Sequence, residues 1–438
     1  MLDIKFIKAN KALVERAIEN KKVKEKIDVE KLLSLYEGVK KLEGSVVGLR
    51  TEQNKATEGI KMTDDDEKRQ SLIDKATELK KELKEVEAKL EQENEKYETM
   101  LLQVPNVTHP DMPVGQSDED NLVLRKWGEP KQFDFEVKDH VELGEALGII
   151  DIENAAKVSG SRFYYLKGDA VLLQFAIVNF VFDTLTSQEI IKQIAGETGS
   201  PFDKPFTLML PPVMVKPEVM KKMDRLDPVE ERYLLKDDEL VLVGSAEHTM
   251  GPVHMDEMLD EAQLPIRYIG YSTAFRREAG SYGQDVRGIL RVHQFDKLEM
   301  ETYVAKEHGE AEHDFILGLQ EYMMQSLNLP YQVVQICTGD TGKPDYNQYD
   351  IETWIPSQGK YRETHTADYM TDYQARRLNI KYKTKEGEKE FVHMNDATAF
   401  AISRILIAIL ENYQKGDGSV EVPEMLRKYV GKDLISIE

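Results

Sequence analysis

The chain has 438 residues, 41% apolar and 32% charged, an ordinary balance for a folded protein of two or three domains with at least one large core. A single cysteine, Cys337, excludes an intrachain disulfide and a cysteine-based zinc cluster. The formal charge of −22 weighs against nucleic acid only as a sum. Residues 1–100 hold 22 Lys and Arg against 23 Asp and Glu, and the remainder holds 36 against 57, so charge alone neither demands nor forbids an RNA partner.

The start, Met1-Leu2-Asp3-Ile4-Lys5, lacks the apolar core of a signal peptide. No apolar run is expected to reach the ~18 residues that span a bilayer. With a lone thiol, which suits a reducing compartment, these features predict a cytoplasmic protein without a membrane partner. A lysine cluster follows at Lys21, Lys22, Lys24 and Lys26. From about 27 to 100 there is no proline, and apolar or small residues recur in steps of four and three. They are Leu35, Val39, Leu42, Val46, Leu49, Gln53, Ala56 and Ile60, then Leu72, Ala76, Leu79, Leu83, Val86 and Leu90. This is the seam of a coiled coil. Between the runs, Thr63 or Asp64 can cap the second helix, and the acids that follow favour its positive end. Two helices of similar length and a short turn predict an antiparallel hairpin on the order of 50 Å long. A dimerising coiled coil fits the periodicity equally. Gly38, Gly44, Gly48 and Gly59 weaken the first helix by ~1 kcal/mol each, which suits an arm with some play.

We expect the arm to occupy 1–104, a Pro/Asp/Gly-rich linker 105–130, and one large domain 131–438. In that domain short β-rich runs (Leu240–Val243, Ile266–Ile269, Gln332–Cys337, Tyr349–Ile355) alternate with helical patterns at Asp169–Ser187, Glu307–Leu327 and Ala399–Tyr413. The last is expected to open on Asp396 and Thr398. The irregular spacing predicts an α+β fold around an antiparallel sheet.

The richest stretch is Phe275-Arg276-Arg277-Glu278-Ala279-Gly280-Ser281-Tyr282-Gly283, followed by Arg287, Gly288, Arg291, Val292, His293, Gln294, Phe295 and Glu299. Two arginines and a glutamate on a strand, a glycine-rich turn and a return strand can aim guanidinium forks at phosphate, with Phe295 free to stack on a base. A solvated, salt-bridged hairpin is the plainer reading.

These residues resemble the second signature motif of class II aminoacyl-tRNA synthetases, and the fuller string resembles the seryl branch. The resemblance implies that Arg276 holds the α-phosphate of ATP and the amino-acid carboxylate, while Glu278, Val292 and Phe295 hold the adenine. Arg277 would join the ATP site, and the 279–287 loop would meet the acceptor end of the tRNA. Phe206–Val215, with Pro211-Pro212, resembles the first motif, a strand at a homodimer interface. Asp350–Gln358 with Tyr361-Arg362-Glu363, and Asp372–Asn379 beyond, resemble the family's ATP- and metal-binding strand. That assigns Glu363, Thr364, His365 and Thr366 to ATP, and Glu352, Glu363 and Thr366 to Mg²⁺, an ion that prefers hard oxygens. Arg404 resembles the third-motif arginine that meets the γ-phosphate. L-Serine would be held by Ser245, Ala246, Glu247, Arg276, Glu299 and Thr398, and the arm would grip tRNA(Ser) by shape and backbone.

Three departures gather at the amino-acid site. The family's Thr-x-Glu is Ser245-Ala246-Glu247 here. Glu-x-Ser-Ser-Cys-Ser-Asn is Glu363-Thr364-His365-Thr366-Ala367-Asp368-Tyr369. Asn-Gly-Ser-Gly is Asp396-Ala397-Thr398-Ala399. His365 can be a ligand or a satisfied structural histidine. The alternatives are a ligase of the same fold with another amino acid or acceptor, a non-catalytic RNA-binding paralogue, and a coiled-coil scaffold.

Overall fold

The computed structural model describes residues 1–23, 27–279 and 287–437. Two compact units appear, Met1–Val107 and Thr108–Glu438.

In the first unit, short helices at Ile4–Ala9 and Lys11–Asn20 precede the hairpin of α1 (Val29–Met62) and α2 (Asp66–Gln103). Every seam position named above is buried or half-buried, so the four-three rhythm marks the face each helix turns to the other. Arg50 bonds Glu87 across the pair at 2.8 Å, and the rings of Tyr36 and Tyr97 lie 5.8 Å apart near its open end. Asp65, rather than Thr63 or Asp64, caps α2, its carboxylate accepting from the amides of Glu67 and Lys68, while Thr63 closes α1. The helix α1 runs unbroken through its four glycines. A Cβ on Gly59 would meet Leu72 Cδ1 at 3.0 Å, so this glycine lets the two helices approach. Lys24 and Lys26 of the lysine cluster lie outside the described residues.

The second unit is built on an eight-stranded sheet. Its strands are β1 (Leu122–Trp127), β2 (Thr207–Met209), β3 (Ile266–Phe275), β4 (Gln294–Val304), β5 (Tyr331–Gln335), β6 (Asn347–Ile355), β7 (Lys360–Thr371) and β8 (His393–Ala401), in the spatial order β1-β5-β6-β7-β8-β4-β3-β2. All neighbours are antiparallel except β2 and β3. The stretch expected to be a linker, 105–130, is therefore corrected: it supplies the edge strand β1. Its residues are exposed up to the half-buried Trp127 and show no alternation, and Pro and Gly residues flank them, which hides an edge strand from a reading by composition.

One face of the sheet is covered by α5 (Gly309–Ser326) and α6 (Ile402–Asn412) over a continuous apolar core. The helix α3 (Asp169–Thr186) packs on α6 and on Glu424–Val430, and α4 (Gln188–Thr198) packs on α5. Contrary to the sequence expectation it is long and apolar enough to cross a bilayer, with mean hydropathy 1.4 over 18 residues, yet more than half of it is buried in this core. Three further boundaries differ from expectation. Asp396, Ala397, Thr398 and Ala399 belong to β8, and helix α6 starts only at Ile402. Arg276–Glu278 lie beyond the end of β3, and Arg291–His293 before the start of β4, so the charged motif occupies the loop ends rather than the strands. Asp372–Asn379 is a helix turn (Tyr373–Leu378) rather than part of the strand.

Candidate active site

The site rests on the sheet face away from α5 and α6. Alternation along β4 turns Lys297, Glu299 and Glu301 to that face. Glu299 faces Thr398 of β8 and Glu301 faces Asp396, which faces Asp368 of β7. Two lateral rows result: an upper one of Glu299 and Thr398, and a lower one of Glu301, Asp396 and Asp368. Behind them, the amide of Gln320 on α5 donates to the carbonyls of Thr366 (2.8 Å) and Thr398 (2.7 Å), fixing the strand positions that carry both hydroxyls.

Over the rows come Gly244-Ser245-Ala246 and the short turn Glu247–Met250. Lys297 Nζ lies 3.2 Å from Ser245 Oγ and 2.6 Å from Glu299 Oε2. Arg225, from a loop after Pro217–Lys222, joins four acids: Nε lies 3.0 Å from Glu247, and Nη2 lies 3.4 Å from Asp396, 3.5 Å from Asp345 and 3.6 Å from Asp368. Burial opposes the charge on both Arg225 and Glu247, but their pairing prevails and holds them ionised, the guanidinium above its ordinary range and the carboxyl below. Burial raises Glu299 to about 7 against the pull of Lys297, and it raises Glu301 and Asp396 well above the carboxylate range. His248, buried and accepting from the Gly244 amide at Nδ1, is lowered to about 4 and stays neutral.

Two clefts share a wall. The larger, about 530 Å³, is lined by Arg225, Ser245, Glu247, His248, Thr366 and Asp368 among others. The smaller, about 70 Å³, is lined by Val292, Phe295, Glu363, Thr364, Thr398 and Arg404 among others. Arg276, Glu278, Arg291, Lys297 and Thr366 line both. Arg276 Nε is held by the Gly244 carbonyl (3.1 Å), and its guanidinium carbon is 5.3 Å from the centre of the Phe295 ring. Glu278 adopts φ 51°, a left-handed backbone that costs a non-glycine residue energy and that recurs at functional sites. Arg404 Nη1 grips the carbonyl (2.9 Å) and Oε1 (2.8 Å) of Glu363, and with Arg276 it holds that half-exposed carboxyl below the ordinary carboxylate range.

Among the residues read from sequence, Ser245, Glu247, Arg276, Glu278, Val292, Phe295, Glu363, Thr364, Thr366, Thr398 and Arg404 line these clefts. Ala246 is buried beneath, and Glu299 lies just below the cleft floor against Lys297. Arg277 points elsewhere, its guanidinium carbon 5.9 Å from the Tyr233 ring centre. His365 is turned to the other face: its ring packs on Phe400 at 5.0 Å, Nδ1 meets the Thr364 hydroxyl at 2.8 Å, and burial lowers it to about 3. A structural histidine is what the geometry supports, because alternation on β7 puts position 365 on the helix side. Sequence reading missed Arg225, Arg232, His248 and Lys297. Lys297 was legible as the middle of the period-two run 295–299. Arg225 lies in an irregular loop with no periodic signal.

Glu352 of β6 lies directly across from Glu363 of β7. Burial and the neighbouring Glu363 raise Glu352, and they raise the adjacent Asp350 further. Like charges facing each other across a ladder are unfavourable without a counter-ion, and this hard oxygen set fits Mg²⁺.

Comparison with known proteins agrees with this geometry. Residues 1–108 match the model of the seryl-tRNA synthetase N-terminal domain, and residues 231–413 match the class II tRNA synthetase core domain of the G, H, P, S and T enzymes. A serine–tRNA ligase of Dictyoglomus turgidum is 39% identical over 98% of both chains, and one of Corynebacterium glutamicum is 40% identical over 99% of this chain and 98% of its own. The crystal structure of seryl-tRNA synthetase from Pyrococcus horikoshii complexed with ATP superposes with a TM-score of 0.87 at 36% identity, covering 100% of each chain. A Naegleria fowleri cytoplasmic serine–tRNA ligase in complex with AMP gives 0.83 at 28% identity, covering 100% of this chain and 99% of that one. With the α+β core, the helical arm and the two arginine-bearing motifs in place, the chain belongs to the seryl-tRNA synthetase family of class II aminoacyl-tRNA synthetases.

Proposed function

We propose that the protein is a serine–tRNA ligase, which activates L-serine with ATP and transfers it to tRNA. The observation that carries this reading is the common wall of the two clefts: Arg276 borders an amino-acid cleft on one side and an aromatic, arginine-lined cleft on the other. A serine carboxylate oxygen attacks the α-phosphorus of ATP, and the bond from that phosphorus to the bridging oxygen breaks to release pyrophosphate. A ribose hydroxyl of the terminal tRNA adenosine then attacks the acyl carbon of seryl-adenylate and releases AMP. Arg276 would steady the α-phosphate and Arg404 the far phosphate, so positioning and charge stabilisation dominate. No general base is assigned. Glu247 would take the α-ammonium, with Glu299 and Thr398 near the serine hydroxyl. Mg²⁺ would neutralise phosphate charge, held by Glu352, Glu363 and Thr366.

The finer assignments are supported as follows. The paired helices α1 and α2 suit a grip on tRNA(Ser), assisted by the 279–287 loop, of which 280–286 lie outside the described residues. A homodimer is supported by the first-motif segment, where Leu208, Leu210 and Met214 are exposed beside Leu172 and Phe175 of α3. A cytoplasmic location is supported by the free thiol of Cys337.

The test is ATP–pyrophosphate exchange with each of the twenty amino acids, without tRNA. Exchange with serine, lost at least a thousandfold in Arg276→Ala with the fold retained by circular dichroism, is the expected result. Exchange with another amino acid alone would overturn the substrate. No exchange with any would leave the non-catalytic RNA-binding paralogue.

A further inference from the structure

The lower row of the site has more acid than serine can use. Glu247, Glu299, Glu301, Asp368 and Asp396 are all buried at or just beneath the larger cleft, where Arg225 pairs with Glu247, Asp368 and Asp396, Lys297 pairs with Glu299, and His248 lies beside Glu247. An α-ammonium group answers one further charge, leaving an excess. Arg225 answers Asp368 and Asp396, but Glu301 faces Asp396 on the adjacent strand with no cation of its own among the described residues, an unfavourable pairing of like charges. Moreover, both carboxyl oxygens of Glu301, which is fully buried, and Oδ1 of Asp396 have no hydrogen-bond partner among the described residues. Buried polar atoms without partners are costly and point to a missing ligand. Two of the three acids are tied to the departures from the family pattern: Asp368 stands in place of a serine and Asp396 in place of an asparagine. The two changes thus act together, adding charge to the floor one row beneath Glu299 and Thr398.

We propose that this floor binds a second ammonium, so that the enzyme also activates small amino acids with a cationic side chain, with L-2,3-diaminopropionate, the amine isostere of serine, as the first of them. The inference rests on the serine-ligase reading of the same cleft. The side-chain ammonium donates to Glu299 and Asp396, and its charge lets these carboxyls and the Glu301 carboxyl that faces Asp396 ionise. Ligand atoms of Glu247, Glu299 and Asp396 lie within 4.8 Å of one another, close enough to converge on one cation. With Arg225 on Glu247 and Asp396, and Lys297 on Glu299, a further divalent charge is less suited than a single ammonium that also donates hydrogen bonds. The chemistry is that of serine: the diaminopropionate carboxylate attacks the α-phosphorus, pyrophosphate leaves, and diaminopropionyl-adenylate remains.

The experiment is pyrophosphate exchange on the full-length enzyme with serine, 2,3-diaminopropionate, 2,4-diaminobutyrate and alanine. We expect a kcat/KM for 2,3-diaminopropionate within about a hundredfold of that for serine and well above that for alanine, which has no side-chain donor. The ratio of diaminopropionate to serine should fall about tenfold or more in Glu301→Gln and in Asp396→Asn, since each removes an ionisable partner while keeping size. A diaminopropionate rate no higher than that of alanine, with serine active, overturns the inference and leaves the ligase reading standing. A ratio unmoved by both substitutions overturns the assigned floor. Failure with serine itself overturns the ligase reading, and the inference with it.

Discussion

Glu299 shows how a single buried side chain links the fold to the site. Its carboxyl takes up a proton near pH 7 in the folded chain but near 4.5 when unfolded. Between these values the native state binds a proton that the unfolded state does not, so the contribution is complete below 4.5 and is lost as pH rises through 7. His248, lowered to about 4, works in the opposite sense between 4 and 6.5, so comparison with a Glu299 variant is needed to separate the two. The share of stability from Glu299 should therefore fall as pH rises from 4.5 to about 7, by up to ~1.4 kcal/mol per pH unit, and level off above about 8. Glu299→Gln should flatten that slope in calorimetric scans, and an equal slope in the variant would remove Glu299 as its source. At this scale the sequence grouped by motif Arg276, Glu278, Phe295, Glu363 and Arg404, residues that all border the clefts. It failed at Arg225, three of whose four acids lie more than a hundred residues away, and at His365, where only the register of β7 decides which face the ring takes.

At the scale of elements, the same dependence on register explains which boundaries were legible. The seam of α1 and α2 follows a local period and was read position by position. The β8 strand was taken for the opening of a helix because 393–401 is buried on both faces and lacks the alternation that marks a strand. The cap at Asp65 rather than Thr63 or Asp64 is a shift within the usual margin at helix ends. Gln320 shows what an element adds that no local pattern reveals. From α5 it satisfies the carbonyls of Thr366 and Thr398 on two different strands, and it is fully buried. Gln320→Leu keeps similar bulk but leaves two buried acceptors unmet, at about 1–3 kcal/mol. The expected outcome is a lower urea midpoint by that amount and a raised KM for serine, because both hydroxyl-bearing positions lose their brace. An unchanged midpoint would show that the strands hold these carbonyls without help from the helix.

For the whole molecule, the division into Met1–Val107 and Thr108–Glu438 separates two tasks that the sequence already distinguishes by texture. Every residue lining the two clefts belongs to the second unit. The first unit contributes long helices with many exposed charged side chains and a seam that buries only a narrow stripe, a surface suited to the shape and backbone of RNA. The two ends of the hairpin come close together, as the Tyr36–Tyr97 contact shows, so residues 29–103 can be replaced by a short Gly/Ser linker without stretching the chain. Amino-acid activation needs only the clefts, and serine-dependent pyrophosphate exchange should stay within a few-fold of the intact enzyme. Transfer to tRNA should fall by a hundredfold or more, seen as a loss of kcat/KM for tRNA with the exchange rate preserved. If charging survived the excision, the arm would be a structural or dimerising coiled coil, the plainer reading of its heptads. If exchange collapsed while the core stayed folded, the adenylate site would depend on the arm.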